Sequence, residues 1–268
     1  MVTLSVYNEG IYNDGIYNLA VSGTSASIEM DGKNQYLSTY EPVALGIGNT
    51  WTLGLWAKPL SNPEHVAIFS TASVRRTNEI DVMATPIAQE SQALGKRPAS
   101  LRAMIKDASG TTLKHYGWGD FFKTDVWTHA FIQWDGTDLE AYKDGVATTT
   151  GVVLTNVTGT MTDGDRHVFL GSAVAGVMAT FSGILGHFAM WDSILAPAEL
   201  SEIVSGGFDM DLTTASGSYV STSSLQHYWK PGQDSTNIGK DFAVSGTGPV
   251  DLPKNHNITT ANISEEHP

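Results

Sequence analysis

The chain has no cysteine among its 268 residues. That excludes disulfides, thiolate-ligated zinc, iron–sulfur clusters and thiol nucleophiles. Cations are scarce: 15 Lys and Arg stand against 28 Asp and Glu, for a formal net charge of −13. Nucleic-acid binding and attachment to an anionic membrane both rest on clustered Lys and Arg, so neither partner is expected. Charged residues of either sign make up only 16%, against about a quarter in an average domain. No segment approaches the ~18 apolar residues of a membrane span. The stretch Met1–Gly15 has neither a basic region nor an apolar run. The expectation is a protein without a secretory signal, made and folded in a cytoplasm. The eight histidines show no HExxH or i, i+4 pair, and no P-loop, nucleophile elbow or EF-hand loop is present.

The chain does contain 24 Ser, 28 Thr and 27 Gly, with 41% hydrophobic residues. This balance favours short strands joined by tight turns over a helical bundle. Strand patterns run over Gln35–Thr39, Trp51–Lys58, Val66–Ser70, Ile80–Met83, Leu101–Lys106 and Thr112–Trp118. They continue over Trp127–Trp134, Leu139–Lys143, His167–Gly171, Phe181–Trp191 and Leu225–Lys230. Asp135-Gly136 and Asp144-Gly145 mark hairpin turns between alternating runs. So many short strands at near-regular spacing predict an all-β, two-sheet antiparallel sandwich. One helix is predicted over Ala196–Val204, with an early Pro, acids in its first turns and Gly206-Gly207 beyond it. Leu200, Ile203 and Val204 form its apolar stripe.

The ends differ from the middle. Tyr7-Asn8-Glu9-Gly10-Ile11 is echoed by Tyr12-Asn13-Asp14-Gly15-Ile16. The segment reads either as an arm that docks on a neighbour or as an irregular edge packed on its own domain. Ala20–Thr24 is repeated as Ala243–Thr247, through terminal strand pairing or by chance. Residues 249–268 are polar, carry three prolines and read as an extended tail. The division is an N-terminal arm or edge strands (1–25), a central domain (26–248) and a C-terminal tail (249–268).

Residues 28–192 and the following helix resemble a LamG-like jelly roll of the concanavalin A-like lectin/glucanase superfamily. The likeness is carried by Met30–Leu37 (MDGKNQYL), Trp51–Pro59 (WTLGLWAKP), Trp127–Gly145 (WTHAFIQWDGTDLEAYKDG), Phe169–Ser172 and Phe181–Ile203, in that order. It implies a jelly roll with one short helix, Trp51, Trp56, Trp127 and Phe181 in the core, and a close backbone approach at Gly183.

The superfamily contains glycoside hydrolases, and Glu79-Ile80-Asp81-Val82-Met83 resembles their catalytic strand. Retaining hydrolysis needs two carboxyl groups about 5–5.5 Å apart. Here the acid/base position falls on Met83 or Ala84, which transfer no proton, so no catalysis is expected and the two acids read as facing solvent. His129 reads as a strand-packing residue. Some LamG-like domains hold calcium at a sandwich rim, and Asp163-Gly164-Asp165 is a compact acidic loop that reads as a Ca²⁺ site or as a plain turn. Sugar binding needs exposed aromatics beside polar groups. Trp118 with Tyr116 and Asp120, flanked by glycines, is the first candidate, and Tyr228 with Trp229 the second.

Two functions follow. One is a structural or decoration protein of a virus particle, in a phage head or tail, held to other virion proteins or to copies of itself by its terminal arms and touching surface glycans. The alternative is a free, calcium-dependent carbohydrate-binding module. A glycoside hydrolase ranks third.

Overall fold

The computed structural model describes residues 26–39, 41–61, 66–72, 77–86, 99–148, 152–173, 179–244 and 248–268. The near-repeat of residues 7–17 and the paired Ala-Val-Ser-Gly-Thr echo lie wholly or largely outside them. In chain order the strands are β1 (Ser27–Asp31), β2 (Tyr36–Ser38), β3 (Trp51–Pro59), β4 (Val66–Ala72), β5 (Ile80–Pro86) and β6 (Ala99–Lys106). Then come β7 (Thr112–Phe122), β8 (Thr128–Trp134), β9 (Leu139–Lys143), β10 (Val146–Ala147), β11 (Val152–Asn156) and β12 (His167–Leu170). After β13 (Ala179–Thr180) and β14 (Ser182–Trp191), the helix α1 (Pro197–Gly206) precedes β15 (Leu225–Trp229), β16 (Lys254–His256) and β17 (Ile263–Ser264).

The strands form two sheets. The eight-stranded sheet runs β10-β9-β8-β3-β14-β1-β17, with β15 also on β14. The nine-stranded sheet runs β11-β7-β6-β5-β4-β12-β2-β16, with β13 also on β4. Every pairing among the described residues is antiparallel except β13 on β4. The architecture is the expected jelly-roll sandwich. The Asp-Gly turns set its register. Asp144 and Gly145 both take left-handed backbone, at φ 50° and 79°, which is the geometry of a two-residue type I′ hairpin between β9 and β10. At Gly183 a Cβ would collide with the Lys58 carbonyl oxygen on β3, so the expected close approach is real.

Trp51, Trp118, Trp134 and Trp229 fill the space between the sheets, with Phe69 of one sheet stacked on Phe188 of the other at 4.5 Å. Such a ring pair adds ~0.5–1.5 kcal/mol to its area burial. Trp51, Trp56 and Phe181 are buried as expected, while Trp127 is only half-buried. A second core forms outside the eight-stranded sheet, where Trp191, Leu200, Ile203, Tyr219 and Tyr228 meet. Leu200 and Ile203 are buried and Val204 packs at the margin, which matches the predicted stripe. Glu199 fixes this cover. Its carboxylate accepts from Ala196 N at 2.9 Å, capping the helix, and from Val220 N and Ser221 N. Burial raises its pKa, but the Ser221 hydroxyl and these amides outweigh that and hold it below the usual value.

The C-terminal segment is not a loose tail. β16 extends the nine-stranded sheet by pairing with β2, and β17 extends the eight-stranded sheet by pairing with β1. Ile258 between them is buried, and Leu252 enters the main core. Lys58 of β3 clamps the end through Glu266 at 2.6 Å. Polarity misled the sequence reading, because an edge strand needs only one apolar anchor per turn and leaves its other side chains in water.

Ile258→Ala is expected to cost about 2–5 kcal/mol, read as a lower urea midpoint. Removing residues 253–268 takes an edge strand from each sheet and is expected to cost more. A truncated chain with an unchanged midpoint would show that these strands carry no stability.

Candidate functional site

The aromatics expected to stack on sugar are inside the protein. Trp118 is 1% exposed. β7 runs through Gly117 and Gly119 as a strand, so these glycines do not form the exposed loop that the sequence suggested. Alternation turns Tyr116 and Trp118 toward the main core, 6.2 Å apart and edge to face. Burial, and then Asp138, pushes the Tyr116 hydroxyl up to about 12. Asp120 is exposed, with left-handed backbone at φ 53°, and its carbonyl accepts from Lys143 Nζ at 2.8 Å. Tyr228 and Trp229 are both fully buried. The Trp229 indole donates to Val250 O at 2.7 Å, and the Tyr228 hydroxyl donates to Met210 O at 2.9 Å. None of these four rings offers a free face to a ligand, and with Asp120 they do not converge. Hydrophobic strands with polar neighbours look alike whether they face a solvent groove or a second core, which is why the pattern pointed outward.

The acidic loop is also committed. Asp163 Oδ2 accepts from Gly46 N, and Oδ1 accepts from Gly164 N and faces Arg166 Nη2 at 3.5 Å. Arg166 is fully buried, and its guanidinium also donates to Gly164 O and Thr162 O. Asp165 is exposed. Among the described residues no three His, Asp or Glu side chains converge on a point. Calcium wants six to eight oxygens, and a guanidinium beside Asp163 repels a cation. The residues do not fit the ion.

Two clusters of buried polar groups remain. The first is the carboxylate pair. Ile80, Val82 and Ala84 of β5 face the main core, so Glu79, Asp81 and Met83 lie on the other face of the nine-stranded sheet. They are not solvent-facing as expected: Glu79 is fully buried and Asp81 is 4% exposed. Lys106 of β6 pairs with Glu79, and Ser70 of β4 donates to Asp81. Met83 packs on Ala67 and Ala173. The two carboxyl groups lie side by side, and only Glu79 has an ion pair with Lys106. Burial, and then the charge of Glu79, pushes the Asp81 carboxyl up to about 7. No third carboxyl follows on the strand to act as an acid/base.

The second cluster lies beneath the cover of the eight-stranded sheet. His129 of β8 and His187 of β14 line a pocket with Trp56, Trp191, Met210 and Tyr228, with room for about one water. Because the Tyr228 hydroxyl donates to Met210, its oxygen accepts from His187 Nδ1 at 3.0 Å. That leaves His187 Nε2 as a bare lone pair, and it has no protein partner, like His129 Nδ1. Burial, then the neighbouring His187, takes His129 down to about 3. Burial, then Lys230, does the same to His187. Both are neutral imidazoles. His129 does pack in its strand as expected, but His187 escaped the sequence reading because its partner Tyr228 is 41 residues away.

The fold has counterparts among solved structures. A candidate carbohydrate binding protein from Bacteroides ovatus shares 13% identity, with 85% of this chain and 62% of its own covered, and superposes with a TM-score of 0.53. A heptameric SAP-like pentraxin from Limulus polyphemus shares 18%, over 66% of this chain and 81% of its own, at 0.47. The CBM40 of a Ruminococcus gnavus IT-sialidase shares 12%, over 66% and 95%, at 0.47. No curated protein matches the sequence.

Asp81→Asn removes a carboxyl that the native state prefers to keep protonated. Its folded pKa is above the unfolded 3.8, so wild-type stability falls as pH rises from 3.8 through about 7. The variant is expected to melt higher than wild type at pH 8, with the advantage shrinking as pH falls and lost near pH 3.8. The histidines act the other way. Their folded pKa values lie below 6.5, so stability falls as pH drops from 6.5 toward about 3. His129→Gln is expected to flatten that acid limb in thermal melts. Equal slopes in variant and wild type would contradict a neutral buried His129.

The laminin G-type profile of the superfamily matches residues 31–201. On that match, and with the sandwich it describes in place, the chain belongs to the concanavalin A-like lectin/glucanases superfamily.

Proposed function

We propose that the chain is a non-catalytic structural or decoration protein of a virus particle, in head or tail, made in the host cytoplasm and docked on its neighbours through residues 1–25. One observation carries this reading: among the described residues, the carboxyl and tyrosine side chains singled out above are already engaged by groups of the fold. Glu79 is tied to Lys106, Asp81 to Ser70, Asp163 to Arg166, and Tyr228 to His187. A catalyst keeps such groups in reach of a substrate. A cysteine-free sandwich with a net charge of −13 suits a structural role.

A second reading is carbohydrate binding. It is favoured by membership of a superfamily that includes lectins and by the fold shared with the Bacteroides ovatus protein. Its site would have to use groups other than the buried aromatics.

Two measurements separate these. The purified protein is screened on a broad glycan panel with calcium and with chelator. A chain lacking residues 1–25 is co-expressed with the remaining particle proteins. Expected are no glycan retained and a truncated chain that melts like the full one but is missing from purified particles. Saturable glycan binding would favour the lectin reading, and full incorporation of the truncated chain would overturn docking through residues 1–25.

A further inference from the structure

We propose that the pocket beneath the cover of the eight-stranded sheet is a binding site for a soft monovalent metal ion, copper(I), held by His129 Nδ1, His187 Nε2 and the thioether of Met210. This inference is independent of the virus-particle and carbohydrate readings, because it rests on the outer face of that sheet alone.

The donors come from two strands and the cover. β8, β3 and β14 are adjacent in the sheet, and His129 sits opposite Trp56 in register. His187 follows on the far side of β3, and both rings line one pocket with Met210. Gly54 of β3 lines it too. A Cβ there would come within 2.8 Å of the Phe131 ring and 3.2 Å of His129 Cε1, so the floor has to stay bare for the rings beside it. Packing holds the two imidazoles. Trp56 meets His129 edge to face at 4.8 Å, and Phe208 stacks on His187 at 4.5 Å.

His187 has the surroundings of a metal ligand. Its Nδ1–H donates to the Tyr228 hydroxyl at 3.0 Å, and that hydroxyl donates to Met210 O at 2.9 Å. Metal-binding imidazoles are oriented in this way, with one nitrogen anchored so that the other presents its lone pair. The chain of bonds ends on the residue that brings the sulfur. His187 Nε2 and His129 Nδ1 are buried without a protein partner, in residues 5% and 3% exposed. A nitrogen left so bears the desolvation cost of an unmade bond.

The donor set selects the ion. No residue lining the pocket carries a formal charge, so a divalent ion would enter uncompensated. Calcium and magnesium need oxygens, and the Tyr228 hydroxyl is already engaged on both sides. Tetrahedral zinc wants a fuller shell. A thioether beside two imidazoles suits copper(I), which accepts fewer donors and prefers soft ones. The space, about that of one water, admits a bare ion. Walls that include Trp56 and Trp191 favour a cation over an aliphatic lining. A water donates to both nitrogens but gains little from the sulfur.

The test titrates the full chain anaerobically with copper(I) against a chromophoric copper(I) chelator. A single copper per chain is expected to withstand the chelator and to raise the melting temperature. His187→Gln is expected to abolish retention. Tyr228→Phe removes only the anchor of the ring and is expected to weaken binding about 10–100-fold. His167→Gln, on the other sheet, serves as the control and should leave binding intact. X-ray absorption of the loaded wild type gives a readout independent of variant folding, with nitrogen and sulfur both expected around the copper. No copper held against the chelator would leave the pocket to a bridging water and overturn the proposal. Retention indifferent to His187→Gln, or a copper shell without sulfur, would overturn it equally.

Discussion

The structure depends on the pairing of β14 with β3 at the middle of the eight-stranded sheet. β14 also carries β1 along one half and β15 along the other. Its alternation feeds two cores at once. Leu185, Phe188 and Met190 point between the sheets, whereas Ala189 and Trp191 point outward under α1. A register irregularity between Leu185 and Phe188 separates the two halves. Gly186 lies there, where a Cβ would collide with Phe208 of the cover. Moving β14 by one residue would exchange the contents of both cores, so register in this strand is fixed from two sides.

Burying both faces of a sheet brings polar groups inside, and the protein treats them differently. The His227–Asp241 pair is completely satisfied. The ring faces Asp241 Oδ2 at 2.7 Å and Leu45 O at 3.1 Å, while Asp241 also accepts from Tyr228 N, Ala243 N and Val250 N. That network ties Ala243 and Val250 to the end of β15. The Glu79–Asp81 pair is held at a cost, because Asp81 is buried beside the charge of Glu79 with no ion pair of its own. The His129–His187 pair avoids charge altogether.

Much of this was legible in the sequence. WTLGLWAKP and the two Asp-Gly turns fixed strands and hairpins because they are local signals: period-two alternation and backbone that only certain residues adopt. The helix was legible from Pro197, Glu199 and the glycines after it. The site was not. Whether Tyr228 faces water or a second core depends on what the chain between Phe208 and Tyr219 covers, and Trp118 is buried by the opposite sheet; no local pattern encodes either. The burial of Glu79 and Asp81 likewise depends on Lys106 and Ser70, which come from two other strands. Polar composition hid the strands at Lys254–His256 and Ile263–Ser264 for the same reason.

Those last two strands impose a kinetic constraint. Ser27 Oγ donates to Ser264 O and Glu266 O, partners 237 and 239 residues away. Ser38 and His256 meet across 218 residues. Closing loops of this length forfeits chain entropy before any contact repays it, and folding rates fall as contacts become less local. Both sheets therefore finish late, with β1 and β2 waiting unpaired on one side until the far end of the chain arrives. During that interval β1 and β2 are open strands, and a net charge of −13 opposes their pairing with another copy of the chain.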